Sequence, residues 1–552
     1  MKLVLGVAAA TSLFSAAPVL AATDCTLDAV KALGVGDLTL SEAAPAAAGA
    51  ENAPVDLCVV RGATQERIGS DGKPYAISFE LRLPNDWNSR FVHQFNGGAD
   101  GEVVPATGGL LSGDRSQTAL ARGYAVVSSD AGHSGAAQPE AGLAGGVRFG
   151  LDPKARENYG YGAVMTLQPL AVKFVEAFYG KPIEYTYGVG GSNGGRHAMV
   201  AAARMPEAFD GLLVGYPGFD LPKAAIQHAW DLQAFNAVNS DVTKSFSRED
   251  LNLVADAIVK ACDGLDGLED GIIYATDQCQ AAFDVSTLQC GSGSSNQCLS
   301  AAQVEALKKI HAGPTNSKGE PLYVNWLWDR GIASNDWRFW KIETGIPPWD
   351  NGPLIAVMGA GALAHVFTTP PTVVDGTPAA LKQYLLDFNF DTDAPKIFGT
   401  DDQFTQSPME MITPPGADNP SLAEFRDAGG KMLIVHGVSD PVFSIVDTTE
   451  WYKKLDANNG GNAEAFAKFY RVPGSPHGLQ GPATDDVDMF SALVAWVEDD
   501  KAPDALVAGV AAGNAEAEAA GMMGITRKLC PYPQIAKYSG NDPKVAESFT
   551  CE

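Results

Sequence analysis

Between residues 75 and 129, short apolar runs alternate with polar turns. The runs are residues 77–83 (Ile-Ser-Phe-Glu-Leu-Arg-Leu), 91–95 (Phe-Val-His-Gln-Phe) and 124–129 (Tyr-Ala-Val-Val-Ser-Ser). Each is bounded by Gly, Pro, Asn or Asp, which marks strands. The period then lengthens. Apolar residues at Val164, Leu167, Ala171, Phe174, Val175 and Phe178 line one face of a predicted helix over 162–179. A strand over 183–189, a glycine-rich turn, a helix beginning near Arg196 and a strand over 211–215 follow. The rhythm resumes with a helix over 421–426 that Ser421 can cap, then strands over 432–436 and 467–472. Strands alternating with helices predict a mostly parallel sheet covered on both faces. The Ala-rich stretch 505–520 reads as helix.

Residues from about 219 to 415 break this alternation, with acidic turns, clustered cysteines, many aromatics and a Gly/Ser-rich patch at 291–296. They read as an inserted domain. The predicted organisation is a first core part at 23–218, a lid at 219–415 and a second core part at 416–552. Residues 1–22 read as a secretory signal, an apolar stretch ending in small residues with cleavage after Ala21 or Ala22. No later run approaches twenty uninterrupted apolar residues, so no membrane span is expected. The chain is thus expected in the periplasm or outside the cell.

The formal net charge of −27 at pH 7 repels nucleic acid and anionic lipid, so neither is expected as a partner. The eight cysteines are an even number, which suits disulfides in an oxidising compartment. By proximity they pair as Cys25 with Cys58, Cys262 with Cys279, Cys290 with Cys298 and Cys530 with Cys551.

Gly190-Gly-Ser192-Asn-Gly194 fits G-x-S-x-G and lies between a predicted strand and a predicted helix, the context that places a nucleophile on a sharp turn. A serine hydroxyl needs a histidine base oriented by a carboxylate. In an α/β-hydrolase core the chain order is serine, acid, histidine. Asp440 follows the strand over 432–436, and His477 follows the strand over 467–472. The other seven histidines precede Asp440, so His477 alone satisfies that order. The reading is an α/β fold, an α/β-hydrolase core with a large inserted lid domain. Its oxyanion donors are read as the amides of Asn193 and of Gly98 in the loop Asn96-Gly-Gly98. A second candidate site, Asp263-Gly-Leu-Asp266-Gly-Leu268-Glu-Asp270-Gly-Ile272, offers three carboxylates and the carbonyls of Leu268 and Ile272. This chemistry suits calcium, and equally a solvated acidic turn.

Further stretches resemble the tannase and feruloyl esterase family, which also contains the mono(2-hydroxyethyl) terephthalate hydrolases. They are Trp87-Asn-Ser-Arg-Phe91, Asn96-Gly-Gly98, residues 123–133, Gly194-Gly-Arg196, Phe209-Asp-Gly211, Gly429-Gly-Lys431, His436-Gly437 and Cys530-Pro-Tyr-Pro533. The resemblance spans essentially the whole chain after residue 25. It implies a lid between nucleophile and acid, a structural calcium at the acidic loop, and Phe443 as a substrate contact. It also implies that one or two of the lid aromatics Trp326, Trp328, Trp337, Phe339, Trp340 and Trp349 close over an aromatic acyl group. One feature departs. Family members usually carry a disulfide-linked cysteine before the serine and after the histidine, where this chain has Gly191 and Gly478. Cysteines restored at both places are expected to cross-link.

The combined expectation is a secreted serine carboxylic ester hydrolase acting on small esters of feruloyl, galloyl or related phenolic acids. The alternatives are an aromatic esterase like the terephthalate monoester hydrolases, a serine peptidase on the same fold, and a catalytically inactive calcium-dependent binding protein.

Overall fold

The structure, a computed structural model, describes residues 23–112, 114, 116–291 and 297–552. The expected signal segment lies outside the described residues, as do residues 292–296 of the Gly/Ser-rich patch.

Nine strands form one sheet: β1 (Thr39–Ala46), β2 (Leu57–Ile68), β3 (Pro74–Pro84), β4 (Arg90–Phe95), β5 (Ala125–Ser129), β6 (Tyr185–Gly191), β7 (Gly211–Gly215), β8 (Lys431–Gly437) and β9 (Ala467–Val472). Their spatial order is β1-β2-β3-β5-β4-β6-β7-β8-β9. The first three and the β3/β5 contact are antiparallel, and from β5 to β9 every pair is parallel. The β5-β4-β6 reversal is a topological switch point, where open α/β sheets place ligands beyond the strand C-termini.

The central strands carry apolar residues on both faces because helices cover both. In β7, Leu213 packs with Val435 against the helix Met489–Asp499, while Leu212 and Val214 pack with Ile434 against Ala198 and Ala202 of the helix Asn193–Arg204. Adjacent residues of a strand point to opposite faces, so a sheet sandwiched this way reads as continuous apolar runs. The predicted helix over 162–179 is present as Ala163–Tyr179 and buries all six of its predicted apolar positions.

Strands β7 and β8 are direct neighbours in the sheet, yet 215 residues lie between Gly215 and Lys431 in the chain, and among the described residues these form helices and loops but no strand of the sheet.

 The chain therefore leaves the sheet after β7 and re-enters it at β8, with the intervening segment stacked over the strand C-termini. Its longest helices are Leu221–Val238, Arg248–Cys262 and Ala301–Ala312.

All four disulfides pair as proximity suggested: Cys25–Cys58, Cys262–Cys279, Cys290–Cys298 and Cys530–Cys551. Three local expectations fail. Strands β1 and β2 extend the sheet where no strand is predicted. The residue before the helix Ala423–Asp427 is Leu422, with φ of 47° and no side-chain cap, so Ser421 does not cap it. Within 505–520 only Ala515–Ala519 is helical, while Leu506–Ala508 pairs with Arg527–Leu529 as a small antiparallel ribbon.

Candidate active site

Strand β6 runs into Ser192, whose φ of 62° and ψ of −127° form the sharp turn before the helix Asn193–Arg204. The turn is anchored on both sides, since the Ser192 amide donates to the Gly215 carbonyl at 3.0 Å and the Gly218 amide donates to the Ser192 carbonyl at 3.2 Å. Two glycines make it sterically possible. A Cβ at Gly190 would lie 2.5 Å from the Gly194 carbonyl carbon, and one at Gly194 would lie 2.3 Å from the Phe95 carbonyl oxygen. The strand and helix thus meet at a distance only bare backbone allows.

The loops after β8 and β9 bring Asp440 and His477 to this turn. His477 Nε2 lies 2.9 Å from Ser192 Oγ, and His477 Nδ1 lies 2.7 Å from Asp440 Oδ2. The residues are 285 and 37 positions apart in sequence, so the fold alone creates the chain. Asp440 is fully buried, and burial by itself would favour its protonated form. The charge of His477 and hydrogen bonds from His436 and His477 outweigh it and hold the carboxyl below its ordinary range. Burial likewise works against protonation of His477, but Asp440 and, behind it, Asp336 raise its pKa above the ordinary value. An ionised acid behind a base that welcomes a proton is what a serine nucleophile requires.

Asp440 has more partners than the histidine. Its Oδ1 accepts from the amides of Val442 at 2.7 Å and Phe443 at 3.0 Å, and its Oδ2 lies 3.2 Å from His436 Nε2. His436 Nε2 also lies 3.1 Å from the Phe443 carbonyl, while its Nδ1 lies 3.0 Å from Thr448 Oγ1. This pattern assigns the proton to Nε2, with Thr448 donating to Nδ1. Three aromatic rings enclose the base edge-on: Tyr216 at 4.8 Å, Trp340 at 5.4 Å and Phe443 at 5.5 Å between ring centroids. The His477 side chain is left 10% exposed.

Behind the nucleophile, the Asn193 side chain bridges Asp100 and Arg196, whose Nε donates to Asn193 Oδ1 at 2.7 Å. Arg196 is fully buried and spends its other nitrogens on the carbonyls of Tyr159, Gly160 and Ile412. Asn193 is the first residue of its helix, so its own amide has no intrahelical acceptor. Gly98, with φ of +62°, lies in the loop after β4, and a Cβ on neighbouring Gly97 would be 3.8 Å from Ser192 Cβ.

Of the lid aromatics, Trp340 meets the base and Trp326 donates its Nε1–H to the Asp440 carbonyl at 3.1 Å. Trp328 instead stacks on His311 at 3.5 Å, and Trp337 meets Phe235 in the lid interior. Sequence reasoning missed His436, Tyr216 and Asp336 as neighbours of the triad. Only His436 left a signal, a histidine at the end of a core strand.

In the acidic loop the carboxylates neighbour one another. Burial raises Asp266 to about 7, with Asp270 and Asp263 adding to it, and burial also raises Asp263. Their oxygens are turned onto local donors: Asp263 accepts from the Gly271 amide, Asp266 from those of Leu268 and Tyr274, and Asp270 from the Ile272 amide and Arg527. Among the described residues no three His, Cys, Asp or Glu side chains converge as a group able to hold a metal ion.

Residues 58–552 match the family described as tannase and feruloyl esterase. The chain belongs to that family. It is 40% identical over 535 residues to a mono(2-hydroxyethyl) terephthalate hydrolase of Piscinibacter sakaiensis, covering 92% of this chain and 87% of that protein. A probable feruloyl esterase of Arthroderma benhamiae is 29% identical over 91% of this chain and 86% of its own length. Among solved structures, feruloyl esterase B from Aspergillus oryzae superposes with a TM-score of 0.73 at 21% identity, covering 94% of this chain and 97% of that one. Fold and membership together make this tannase-family chain a carboxylic ester hydrolase with an α/β-hydrolase core. No helix among the described residues is long and apolar enough to cross a membrane.

Proposed function

We propose that this enzyme is an exported serine hydrolase for esters of aromatic acids, with Ser192, His477 and Asp440 as nucleophile, base and acid. The observation that carries the mechanism is the unbroken Ser192–His477–Asp440 chain, with contacts of 2.9 and 2.7 Å. Ser192 Oγ attacks the ester carbonyl as His477 Nε2 takes its proton. Asp440 holds the ring by Nδ1 and stabilises the imidazolium. The amides of Asn193 and Gly98 are assigned to the developing oxyanion. His477 then protonates the leaving alcohol, and water repeats the sequence to release the acid. The aromatic acyl group is supported by the relatives' activities and by the ring cluster of Tyr216, Trp340 and Phe443 at the base. Feruloyl, galloyl and related phenolic esters are the proposed range. A terephthalate monoester is the second reading, favoured by the 40% identical relative.

The test compares methyl ferulate, methyl gallate, mono(2-hydroxyethyl) terephthalate, p-nitrophenyl acetate and a peptide anilide, with Ser192→Ala as control. Preference for an aromatic ester, lost in Ser192→Ala, supports the proposal. Peptide cleavage in place of ester cleavage, or activity surviving in Ser192→Ala, refutes it. Labelling of Ser192 by an active-site phosphonate excludes an inactive binding protein.

The acidic loop is proposed to take a structural calcium through Asp263, Asp266 and Asp270 with the carbonyls of Leu268 and Ile272, which requires the carboxylates to turn from their present amide and Arg527 partners and converge on the ion. Mutually repelling, partly buried carboxylates support this reading, since a hard cation relieves their repulsion. Calcium would supply no step of the reaction there, only stability. A chelator should lower Tm, because a ligand bound only by the folded state stabilises it. Absence of calcium by elemental analysis with an unchanged Tm rejects the site.

A further inference from the structure

Lid residues reach both triad loops. Asp329 Oδ1 accepts from Ser439 Oγ, next to the catalytic acid, and from the Gly474 amide at 2.9 Å, three residues before the base. Ser444 Oγ donates to the Asn325 carbonyl at 2.6 Å, beside the Trp326 bond to the acid's carbonyl. On the base side, Asp336 of the lid helix Asn335–Lys341 accepts at Oδ2 from the His477 amide at 3.1 Å. A second carboxylate therefore stands on the base's own backbone, 141 residues away in sequence.

We propose that Asp336 is a positioning residue through which the lid both holds His477 by its backbone and adds a negative charge beside the imidazole. This rests on His477 being the base. The groups facing that base are Asp440 from the β8 loop, Ser192 from the β6 turn, Tyr216 after β7 and Asp336 from the lid. Those facing Asp336 are His477, Asp440 and Glu516, the last on the helix Ala515–Ala519. Glu516 Oε1 accepts from the Asn335 amide at 2.8 Å, which brings its charge to the same turn. A cavity of about 600 Å³ lined by Asp336, Glu516, Asp485 and Gly478 opens beside them.

Geometry and charge separate cleanly at this position. Asparagine keeps an oxygen for the His477 amide but loses the charge, whereas alanine loses both. Burial, opposed by His477 and supported by Asp440 and Glu516, brings Asp336 to about 7, so its charge is present above about pH 7 and is progressively lost below it, across the same interval in which His477 titrates. A negative neighbour favours the imidazolium, so removing it must lower the pKa of His477 and extend activity to lower pH.

The experiment measures kcat/KM against pH on p-nitrophenyl acetate for the wild type, Asp336→Asn, Asp336→Ala and Glu516→Gln. The acid limb of Asp336→Asn is expected to move down by about half a pH unit or more, since a nearby charge shifts a pKa by about one unit or more. Glu516→Gln should move it up, because Asp336 then ionises at lower pH and opposes deprotonation of His477. Asp336→Ala should also lose about tenfold in kcat at little change in KM, the size expected for one lost hydrogen bond to the backbone of the base. Acid limbs of Asp336→Asn and Glu516→Gln superposing on the wild type would overturn the proposal. Should Asp336→Asn fail to fold, Glu516→Gln alone decides it. Failure of the triad reading is distinct, since it would appear as activity in Ser192→Ala.

Discussion

Gly194→Ala puts the construction of the nucleophile turn to a direct test. The added methyl would lie 2.3 Å from the Phe95 carbonyl oxygen, 2.9 Å from that of Asn96 and 3.0 Å from the Phe95 carbonyl carbon. All three are backbone atoms of β4 and the loop that carries Gly98, so no side chain can swing aside. An ordinary contact requires roughly 3.5 Å, which means the helix Asn193–Arg204 must retreat by about 1 Å. A retreat of that size carries the Asn193 amide and Ser192 Oγ off the positions set by the loop and by His477. Displacements of about 1 Å at reacting groups cost on the order of 100-fold in rate, and overpacking against rigid neighbours costs about 1–3 kcal/mol of stability. The matched control is Gly429→Ala, where a Cβ has open space and φ of +92° supplies only local strain. Both variants are assayed for kcat/KM on p-nitrophenyl acetate and for Tm. The expectation is a loss of about 100-fold for Gly194→Ala and near wild-type turnover for Gly429→Ala. Wild-type kcat/KM in a folded Gly194→Ala would refute the claim that bare backbone contact positions the nucleophile.

Asp440→Asn should lower kcat by on the order of 10⁴, because an amide at Asp440 no longer secures the Nδ1–H tautomer of His477; kinetics on the same ester check it. His436→Gln should cost far less, about tenfold, since Asp440 keeps its contacts with His477, Val442 and Phe443. A loss equal to that of Asp440→Asn would make His436 an essential partner. Because His477 is raised above an ordinary histidine, the acid limb of kcat/KM should lie above about pH 6.5, with activity falling as pH drops through it. A flat profile down to about pH 4 would contradict its role as base.

The meeting of Ser192, His477 and Asp440 was legible because its signals are local. A serine between glycines, set between a strand and a helix, carries its own context, and chain order then leaves one histidine after one strand-end aspartate. The disulfides were legible for the same reason, with separations of 33, 17, 8 and 21 residues. Strands β1 and β2 were not. Thr39–Ala46 holds four alanines or prolines in eight positions, and its pairing with β2, rather than its own propensity, makes it a strand. The stretch 505–520 errs in the opposite sense, since alanine-rich sequence reads as helix until Arg527–Leu529 offers a ladder. Contacts of Asp329, Trp326 and Asp336 with the triad loops span 110, 114 and 141 residues. No periodicity or motif encodes such distances.

The glycines at the family's cysteine positions lead to a different outcome from the one the sequence suggests. Gly191 and Gly478 flank Ser192 and His477, whose side chains touch at 2.9 Å, so proximity favours a cross-link. The space does not. A Cβ at Gly191 would lie 2.4 Å from the Tyr216 hydroxyl and 2.5 Å from the ring carbon bearing it, while the same ring meets His477 at 4.8 Å. Tyr216 fills the volume that a side chain at Gly191 would enter. At Gly478 space is open, but φ of +91° makes any side chain strained by about 1–3 kcal/mol. Closing a loop of nearly three hundred residues is worth about 5 kcal/mol in the chain-entropy model, enough to outweigh that strain once the tyrosine is gone. Gly191→Cys with Gly478→Cys should therefore leave both thiols free in folded protein, and adding Tyr216→Ala should let them join. Peptide mapping by mass spectrometry reads the result. A quantitative cross-link with Tyr216 in place and activity intact would show that the ring does not hold this space. Free thiols in a folded triple variant would show that the two loops stand farther apart than the Cα separation of about 4.4 to 6.8 Å that a disulfide spans.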